Sequence, residues 1–413
     1  MKIAIIGTGI SGNVAAYHLN KSHDITVFEA NDYIGGHTHT HSIKLEGKSY
    51  SVDTGFIVFN YKTYPNFTGL LKELGVKEQL STMSFGVKCE KTGLEYMGST
   101  INSLFAQRRN VFRLSFWRMI LDILRFNRQS TGILKATSDD ITLGDYLKRE
   151  KFSQTFIDYY LVPMAAAVWS ADLNQMYQFP ARYLIQFFHN HGLLSVTNRP
   201  DWYVIKGGSK TYVTALTDSY KDKIRLSTPV TRVERKKDAV LITSSQGEES
   251  YDAVFFACHS DQALRLLAKP TDSEQQVLSA IKYQENEVLL HTDDSILPKR
   301  KTAWAAWNYH LLEDGQGQVP VTYNMNILQG LESDHTFCVT LNNSNAIDKA
   351  KVLKRLQYHH PIYTKESVAA QARQSEINTD RLYFCGAYWR YGFHEDGVVS
   401  ALSALEQFKR DQG

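Results

Sequence analysis

Three glycines close to the N-terminus have the spacing of a turn that binds the phosphates of a nucleotide. Gly7, Gly9 and Gly12 form a GxGxxG pattern. A short apolar strand is predicted before them at 2–6, and a helix is predicted after them at 13–20. Gly7 permits the tight turn, Gly9 lets a pyrophosphate approach the backbone, and Gly12 lets the helix pack close to the strand. The helix then offers free N–H groups and the positive end of its dipole to the phosphates.

An acid at the end of the next predicted strand completes a nucleotide-binding unit. The strand ITVFE ends at Glu29, which lies 17 residues after Gly12. Its carboxylate is placed to accept a hydrogen bond from an adenosine ribose hydroxyl and would repel a 2′-phosphate, so NADP is disfavoured. Strand, glycine turn, helix, strand and acid in this order predict a Rossmann-like domain that binds a dinucleotide.

A glycine pair soon after this acid favours a flavin over a nicotinamide. An NAD dehydrogenase has no need for Gly35 and Gly36 at this place. In a flavoprotein the loop must pass close to the pyrophosphate and the ring system, and glycine allows it to. We therefore expect non-covalent FAD as the cofactor. Gly315-Gln-Gly317 lacks a third glycine and a preceding strand, so no NAD(P)H domain is evident and the substrate or an outside donor must reduce the FAD.

The chain as a whole resembles the flavin-dependent amine oxidoreductase superfamily, which includes monoamine oxidases, protoporphyrinogen oxidases and phytoene desaturases. The motifs that carry the resemblance follow the family's order: GGHTHT (35–40), VDTGF (52–56), WYVIKGGS (202–209), KIRLSTPV (223–230), YDAVFFA (251–257), LYFCGA (382–387) and GFHEDGV (392–398). The resemblance implies an α/β fold in which a discontinuous Rossmann-like FAD-binding domain is joined to an α+β substrate domain. The family usually has Arg after the glycine pair, whereas this chain has His37, so we expect a different contact with the flavin.

The same motifs, carried over residue by residue, imply a set of cofactor contacts. In the family a strand valine meets the adenine through its backbone, and the N-terminus of the last helix faces a flavin ring carbonyl. The cofactor-binding residues predicted in this way are Gly7, Gly9, Ser11, Gly12, Glu29, Gly35, Gly36, His37, Thr38, Phe56, Val230, Gly386, Glu395, Asp396, Gly397 and Val398.

Shorter phrases are similar to one bacterial branch of this superfamily, known as predicted NAD/FAD-binding or amine-oxidase-like proteins. They are VWS (168–170), FFHNHGLL (187–194) and YGFHEDG (391–397). Members of the branch often occur beside cyclopropane-fatty-acid-synthase-like methyltransferases. The resemblance therefore implies lipid chemistry and a methyltransferase as a partner, by association.

The order of motifs predicts two closely packed domains, each built from separate parts of the chain. We assign 1–75, 200–262 and 375–413 to the FAD-binding domain. We assign 76–199 and 263–374 to the substrate domain, with 101–199 mostly helical because its apolar residues recur at helical spacing.

The composition excludes several classes of protein. A net charge of +3 on 413 residues is too small to indicate nucleic-acid binding. The four cysteines are scattered and form no CxxC pair, so neither zinc nor a disulfide framework is indicated. The chain enters its first strand at once and has no apolar run of 18 residues, so we expect neither a signal peptide nor a membrane span. A cytoplasmic protein is predicted, with a peripheral position on the inner face of the membrane as the alternative.

One stretch departs from this charge balance. Residues 101–135 carry six arginines and Lys135 against Asp122 alone, a net charge of +6. Phe112 and Phe116 belong to a set of apolar residues near helical spacing within it, which predicts a basic amphipathic helix that contacts anionic membrane at 105–128. The alternative is a domain helix whose apolar side packs inward and whose arginines are solvated; the wide spread of apolar residues around the helix favours it slightly.

Histidines and one tyrosine are the candidate catalytic residues. His394 precedes the helix that faces the flavin and could relay protons with the two acids after it, although Asp396 could equally cap the helix. His191 is a general acid–base candidate or a hydrogen-bonded histidine at a helix end. Tyr309, after two tryptophans, lines the pocket or fills the core. The alternating set His37, His39 and His41 lines the flavin edge or, less in keeping with the sequence, binds a metal.

These observations predict an FAD-dependent oxidoreductase that acts on an apolar substrate, a fatty-acyl chain, by desaturation, reduction or isomerisation with hydride transfer at flavin N5. Phe393 stands where the family's amine oxidases have a tyrosine, and 283–290 has no lysine where theirs lies near the flavin. Both differences weaken the first alternative, a flavin amine oxidase. The second alternative is a non-catalytic flavin-containing protein that binds lipid or a methyltransferase partner.

Overall fold

The computed structural model describes residues 1–135, 141–169, 171–195, 199–313 and 318–412. Ser170 and Gly315-Gln-Gly317, which the sequence analysis considered, lie outside the described residues. The strands of the described chain are β1 (Lys2–Ile6), β2 (Asp24–Phe28), β3 (Thr40–Leu45), β4 (Lys48–Asp53), β5 (Val58–Phe59), β6 (Glu78–Ser81), β7 (Phe85–Cys89), β8 (Leu94–Met97), β9 (Trp202–Ile205), β10 (Ile224–Arg225), β11 (Val230–Arg235), β12 (Val240–Ser244), β13 (Gly247–Tyr251), β14 (Ala253–Phe256), β15 (Tyr283–His291), β16 (Trp307–Leu311), β17 (Val321–Asn324), β18 (Cys338–Leu341), β19 (Val352–Pro361) and β20 (Leu382–Phe384).

The α-helices of the same residues are α1 (Ile10–Leu19), α2 (Pro65–Glu73), α3 (Ile101–Leu104), α4 (Leu114–Gln129), α5 (Gly132–Lys135), α6 (Leu143–Arg149), α7 (Gln154–Phe156), α8 (Val162–Trp169), α9 (Leu173–Gln178), α10 (Ala181–Asn190), α11 (Lys210–Thr217), α12 (Ser260–Leu266), α13 (Asp272–Ala280), α14 (Met325–Leu328), α15 (Lys365–Gln371), α16 (Gln374–Ile377) and α17 (His394–Asp411). A π-helical turn, Ile157–Leu161, joins α7 to α8.

Five parallel strands form the first sheet, in the order β10-β2-β1-β14-β20. In β1, Ile3, Ala4 and Ile5 are fully buried. A strand covered on both faces has this continuous apolar sequence, in contrast to the alternating pattern of a half-exposed strand. The strands come from three separate parts of the chain, in keeping with an α/β fold of the predicted kind; the domain boundaries given above stay predictions.

Helices cover one face of this sheet. α1 and α17 pack against each other there, and their alanines Ala15, Ala16, Ala401 and Ala404 are fully buried. The small side chains allow the two helix axes to approach closely. The other face carries the antiparallel sheet β11-β12-β13 together with α12 and α13. The result is a three-layer domain in which the N-termini of α1 and α17 lie side by side.

A second, larger sheet has seven strands in the order β19-β15-β18-β17-β16-β7-β8. Its neighbours are antiparallel except for the parallel pair β16 and β7. The helices from α4 to α10 share one hydrophobic core with this sheet. The mostly helical segment predicted at 101–199 therefore corresponds to α3–α10.

A small sheet, β5-β9-β6, lies at the junction of the two cores. Val58 of β5 packs against the core between the five-stranded sheet and its helices and also against the core of the seven-stranded sheet. Trp202 of β9 belongs to the core beside the five-stranded sheet. This junction is where a substrate could meet a cofactor held by the first domain. Among the described residues, no helix combines the length and the apolar character that crossing a membrane requires.

The strand predicted to end at Glu29 is β2 and ends at Phe28, and two helices also start at other residues than predicted. α1 begins at Ile10, inside the GxGxxG pattern, although the helix was predicted from Asn13. α17 begins at His394, so His394, Glu395 and Asp396 form its first turn and do not precede it. In both cases the residues near the helix start are held by tertiary packing, which the local pattern does not reveal.

Candidate functional site

The GxGxxG turn is tightly packed at its first and third glycines and open at its second. Gly7 has a φ of +104°, and a Cβ there would lie 2.8 Å from the Ala257 carbonyl oxygen. A Cβ on Gly12 would lie 2.0 Å from the Gly7 carbonyl oxygen, so only glycine allows α1 to start so close to the turn. A Cβ on Gly9 would meet no described atom within 4 Å beyond its chain neighbours. The space beside Gly9 is where a pyrophosphate fits.

Glu29 is fixed beside this turn by four hydrogen bonds. One carboxylate oxygen, Oε2, accepts from the Thr8 N–H at 2.9 Å and the Thr8 hydroxyl at 2.5 Å. The other, Oε1, accepts from the Asn31 N–H at 2.9 Å and from Asn31 Nδ2 at 3.0 Å. A carboxylate has about four acceptor positions. A ribose hydroxyl bound to Glu29 therefore takes the place of a side-chain donor from Thr8 or Asn31.

The glycine pair Gly35 and Gly36 folds over the GxGxxG turn. Gly35 and Gly36 have φ of +128° and +59°, and a Cβ on Gly36 would lie 3.2 Å from the Gly9 Cα. The Gly35 N–H donates to the Thr8 hydroxyl at 3.2 Å. Thr38, another predicted cofactor residue, has its hydroxyl 2.7 Å from that of Tyr212. The loop thus brings glycine backbone next to the open space beside Gly9.

The N-termini of two helices converge at this place. A Cβ on Gly397 would lie 2.4 Å from Ile10 Cγ2, and the Ser11 hydroxyl donates to the Gly397 carbonyl at 2.9 Å. Val398 is buried directly after it. The helix dipoles of α1 and α17 therefore present positive ends side by side, an arrangement that favours a bound anion.

Three further predicted cofactor residues occupy strand ends or loops of the same domain. Val230 begins β11 and is buried. Gly386 follows β20, where a Cβ would lie 2.2 Å from Tyr388 Cε1. Phe56 has a φ of +52° and places its ring 4.7 Å from that of His394.

Glu395 and Asp396 make hydrogen bonds to helix starts. Glu395 Oε1 accepts from the Asn66 N–H and Nδ2 at 3.1 and 2.6 Å, and its Oε2 accepts from the Phe67 N–H at 2.8 Å. It therefore caps α2 from a distance of more than 300 residues in sequence. Asp396 is not the N-cap residue considered in the sequence analysis: it is the third residue of α17, and its carboxylate accepts from the N–H of the N-cap residue Phe393 at 2.9 Å. Burial raises the pKa of the Asp396 carboxyl to about 7.

The His394 ring is enclosed by aromatic rings. It stacks on Phe67 at 4.3 Å between centroids and meets Phe56 and Tyr212 edge-on. Its Nε2 is buried with no hydrogen-bond partner among the described residues. Burial lowers the pKa of His394 to about 3, so the ring is neutral at pH 7. A neutral imidazole has one donor and one acceptor nitrogen; the acid–base role predicted for His394 stays a prediction.

An apolar cavity lies where the two domains meet, and we call it the junction cavity. It is small, with a cavity volume of about 30 Å³. Its walls are almost wholly hydrocarbon and aromatic and come from both domains: Val58, Tyr64, Met83, Phe85, Val168, Phe187, His191, Leu193, Trp202, Trp307 and Phe393. Tyr64 and Met83 lie outside the quoted motifs, and the motif that begins at Trp202 does not indicate this position. They come from distant segments, so only the folded chain brings them together.

This lining contains one histidine, His191, and no lysine or arginine. Its Nδ1 lies 2.9 Å from the Phe187 carbonyl oxygen. Because a carbonyl only accepts, Nδ1 carries the proton and Nε2 keeps its lone pair. Burial lowers the pKa of His191 to about 4. The cavity is therefore uncharged at neutral pH.

Tyr309 lies deeper than the cavity wall. It is two residues beyond Trp307 on β16, on the same face of the strand, with its ring 6.0 Å from that of Phe85. Its hydroxyl is buried without a hydrogen-bond partner among the described residues, and burial raises its pKa well above the usual value. Trp307, on the same strand, lines the junction cavity.

The alternating histidines separate into two environments. The His37 ring lies 5.0 Å from Tyr358, 5.6 Å from His259 and 5.9 Å from His360, and burial lowers its pKa to about 4. His39 lies instead between Tyr33 and His41. Over the described ranges of the chain, no three histidine, cysteine or acidic side chains are grouped to hold a metal ion. The proximity of His259 and His360 to His37 had no signal in the sequence.

Comparison with known protein families identifies the family of this chain. The family model of flavin containing amine oxidoreductases matches residues 10–322, more than half of the chain. The chain belongs to this family. The predicted family and the predicted cofactor, FAD, are thereby confirmed.

Relatives of this flavin containing amine oxidoreductase share its fold at low sequence identity. Protoporphyrinogen oxidase 2 of Arabidopsis thaliana is 23% identical over 188 residues, 43% of this chain and 35% of that protein. Putrescine oxidase with bound putrescine is 14% identical with a TM-score of 0.67, covering 99% of this chain and 100% of that one. A fatty acid isomerase from P. acnes that produces CLA is 14% identical with a TM-score of 0.68, covering 98% of both chains. The chain spans about a third of the length of the plant relative.

The cradle of this flavin containing amine oxidoreductase fits FAD. The open space at Gly9, the loop at Gly36 and the N-termini of α1 and α17 would hold the pyrophosphate, and Glu29 would hold the ribose. The unpartnered Nε2 of His37 lies in the same loop, where a polar cofactor atom would satisfy it. The other predicted contacts keep the status of predictions.

Proposed function

We propose that this protein is an FAD-dependent oxidoreductase that acts on a fatty-acyl chain. The observation that carries the proposal is the junction cavity, whose lining has no carboxylate, lysine or arginine. Each methylene group that leaves water for such a cavity contributes about 0.8 kcal/mol. A charged substrate would lose its hydration there without gaining an oppositely charged partner.

The protein's part in this reaction is to bind, orient and exclude water. When bound, FAD supplies a hydride acceptor and donor at its N5. The aromatic side chains of the cavity wall, including Trp202, Trp307 and Phe393, would contact the part of the acyl chain nearest the flavin and keep solvent from its reacting carbon. His191, with its lone pair on Nε2, and the unpartnered hydroxyl of Tyr64 are polar groups of the lining that could accept a hydrogen bond from a substrate.

Three outcomes at the acyl chain are compatible with this site: desaturation, reduction of a double bond, and isomerisation without net redox change. The fold that the chain shares with a fatty acid isomerase supports an acyl substrate, although the identity of 14% extends only to the fold. The cavity does not favour one of these three directions over the others.

Amine oxidation is the second candidate, and the similarity to putrescine oxidase favours it. A neutral amine can lie against the aromatic rings of the lining, such as those of Phe187 and Phe393. A diamine presents a second ammonium group, which needs a carboxylate to replace its hydration. The lining offers none, so we rank diamines below acyl chains.

Product analysis tests the proposal. The FAD-loaded protein is incubated with acyl lipids that differ in number and position of double bonds, and with a mono- and a diamine, and products are identified by mass spectrometry. We expect changes in double bonds and no aldehyde from the amines. Met83→Lys, which puts a charge in the wall, should abolish acyl turnover while FAD stays bound, and Met83→Leu should keep it. Aldehyde from an amine with no acyl product would replace the proposal by the second candidate.

A further inference from the structure

The long helix α4 has apolar residues on two opposite sides. One side, with Phe116, Met119 and Phe126, is buried in the core of the substrate domain. The other side, which we call the outer stripe, consists of Leu114, Trp117, Leu121 and Leu124. These four recur at intervals of three and four residues and are between 42% and 86% exposed. The wide distribution of apolar residues in the sequence therefore resolves into one inner and one outer face.

The outer stripe continues into the residues before α4. Phe112 is 88% exposed, Val111 is 42% exposed, and Ile101 at the start of α3 is 80% exposed. Seven of the eleven exposed large hydrophobic residues in the described chain fall between 101 and 124. Large apolar side chains that are concentrated in this way mark an interaction surface, whereas single exposed ones do not.

Arginines surround the outer stripe without acidic partners. Arg113 stands immediately before α4 and Arg128 in its last turn. Neither has a carboxylate oxygen within 4 Å among the described residues, and the same is true of Arg109. The positive charge of this surface is therefore open to an external partner.

The acid of the stretch is turned away from the surface. Asp122 is buried, with its carboxylate 3.4 Å from Arg118 Nε and 3.0 Å from Arg125 Nη2. It also accepts from the Ser153 N–H at 2.9 Å. Asp122 thus anchors α4 to the domain and leaves the outward side without negative charge.

We propose that the outer stripe and its arginines dock on the surface of an anionic lipid bilayer, with the apolar side chains below the headgroups. Charge complementarity selects this partner. A second copy of the chain across a two-fold axis would bring Arg113 and Arg128 against the same arginines, and like charges repel. An anionic membrane offers both an apolar layer and negative headgroups, and tryptophan is enriched at such interfaces. The full chain would lie on the membrane without crossing it.

Vesicle flotation of the full-length protein tests this proposal. We expect binding to vesicles of phosphatidylglycerol mixed with phosphatidylcholine, weaker binding at high salt, and little binding to phosphatidylcholine alone. Replacing Arg113 and Arg128 by Gln should weaken binding about 20-fold, at roughly fivefold per basic residue. Leu114→Ser with Leu121→Ser should weaken it about tenfold or more, because each leucine loses most of its burial in the bilayer.

Matched variants separate a docking surface from a general effect. Leu80→Ser with Leu226→Ser removes exposed leucines elsewhere, and Lys48→Gln with Lys62→Gln removes exposed charges elsewhere; neither pair should change binding. All variants should keep the wild-type melting temperature, because the changed side chains are exposed. Equal binding of the stripe variants and wild type would overturn the proposal. So would a wild-type dimer in light scattering that the Leu114→Ser, Leu121→Ser variant converts to monomer.

Discussion

The two outer glycines and the middle glycine of the GxGxxG turn should respond in opposite ways to an added side chain. Gly9 has φ of −62° and ψ of 176°, a conformation that a β-branched residue adopts readily. A Cβ there meets open space, whereas a Cβ on Gly12 would lie 2.0 Å from the Gly7 carbonyl oxygen. Gly9→Val should therefore leave the fold of the FAD-free protein intact, and Gly12→Ala should damage it.

The magnitudes follow from these contacts. Gly9→Val should leave the free energy of unfolding of the FAD-free protein equal to that of wild type or raise it by about 0.4–1 kcal/mol, because the unfolded chain loses freedom. The same valine occupies the space of the pyrophosphate. If the charged pyrophosphate loses two hydrogen bonds to the backbone, at about 1.5–3 kcal/mol each, FAD binding weakens by about a hundredfold or more. Gly12→Ala should lower the free energy of unfolding by about 1–3 kcal/mol or more through overpacking.

Urea unfolding with and without added FAD measures both effects. At FAD a hundredfold above its Kd, the wild type should gain about 2.7 kcal/mol, and Gly9→Val should gain about 0.4 kcal/mol or less at the same concentration. Absorbance of the flavin after gel filtration reports retention of the cofactor independently. A Gly9→Val protein that retains FAD as wild type does would refute the assignment of this space to the pyrophosphate. A FAD-free Gly9→Val protein as unstable as Gly12→Ala would contradict the claim that the space beside Gly9 is open.

Three further predictions concern the first turn of α17. Glu395→Gln should lower the free energy of unfolding in urea by about 1–3 kcal/mol, because charge-assisted hydrogen bonds to the start of α2 are lost; Glu406→Gln, at an exposed ion pair on the same helix, should change it by less than about 1 kcal/mol. The pKa of His394 is lowered to about 3, so the unfolded chain takes up a proton below pH 6.5 that the folded ring refuses, and stability is lost as pH falls from 6.5 towards 3. His394→Phe should reduce that loss in melting temperatures measured across this range, and an unchanged slope would contradict the burial argument. The pKa of Asp396 is raised to about 7, so the folded carboxyl keeps a proton that the unfolded chain releases, and its contribution to stability declines as pH rises from about 4 to 7; Asp396→Asn should flatten this decline.

The local parts of the cofactor cradle could be predicted from the sequence because their spacing follows from short-range geometry. Gly7, Gly9 and Gly12 lie within one turn and one helix start, and Glu29 directly follows the adjacent strand β2. Family motifs led us to expect that the N-terminus of α17 faces the flavin, but the close contact of Gly397 with Ile10, where two helices with small residues pack side by side, is visible only in the fold.

The junction cavity could not be predicted in the same way. Tyr64, Met83, Trp202 and Trp307 occupy loops and strands that only the junction of two cores brings together. The hydrophobic period that identifies a helix says nothing about which distant aromatic ring it will face.

The sequence also left α4 ambiguous for a definite reason. Apolar residues all around a helix are compatible with full burial or with two different partners, and only the exposed fractions separate these cases. Asp122, the acid that reduces the net charge of the stretch, turns out to be buried and paired. The outward surface is therefore more basic than the count of charges along the sequence suggests.

Anaerobic mixing of the FAD-loaded protein with acyl lipids and with amines, followed by flavin absorbance, tests the proposed function most directly. We predict that an acyl lipid reduces the flavin, lastingly in desaturation or transiently in isomerisation, or that it reoxidises chemically reduced flavin when its double bond is reduced, and that mono- and diamines leave the spectrum unchanged. Met83→Lys should abolish the acyl response and Met83→Leu should preserve it. Rapid reduction by an amine with no response to any acyl lipid would contradict the account.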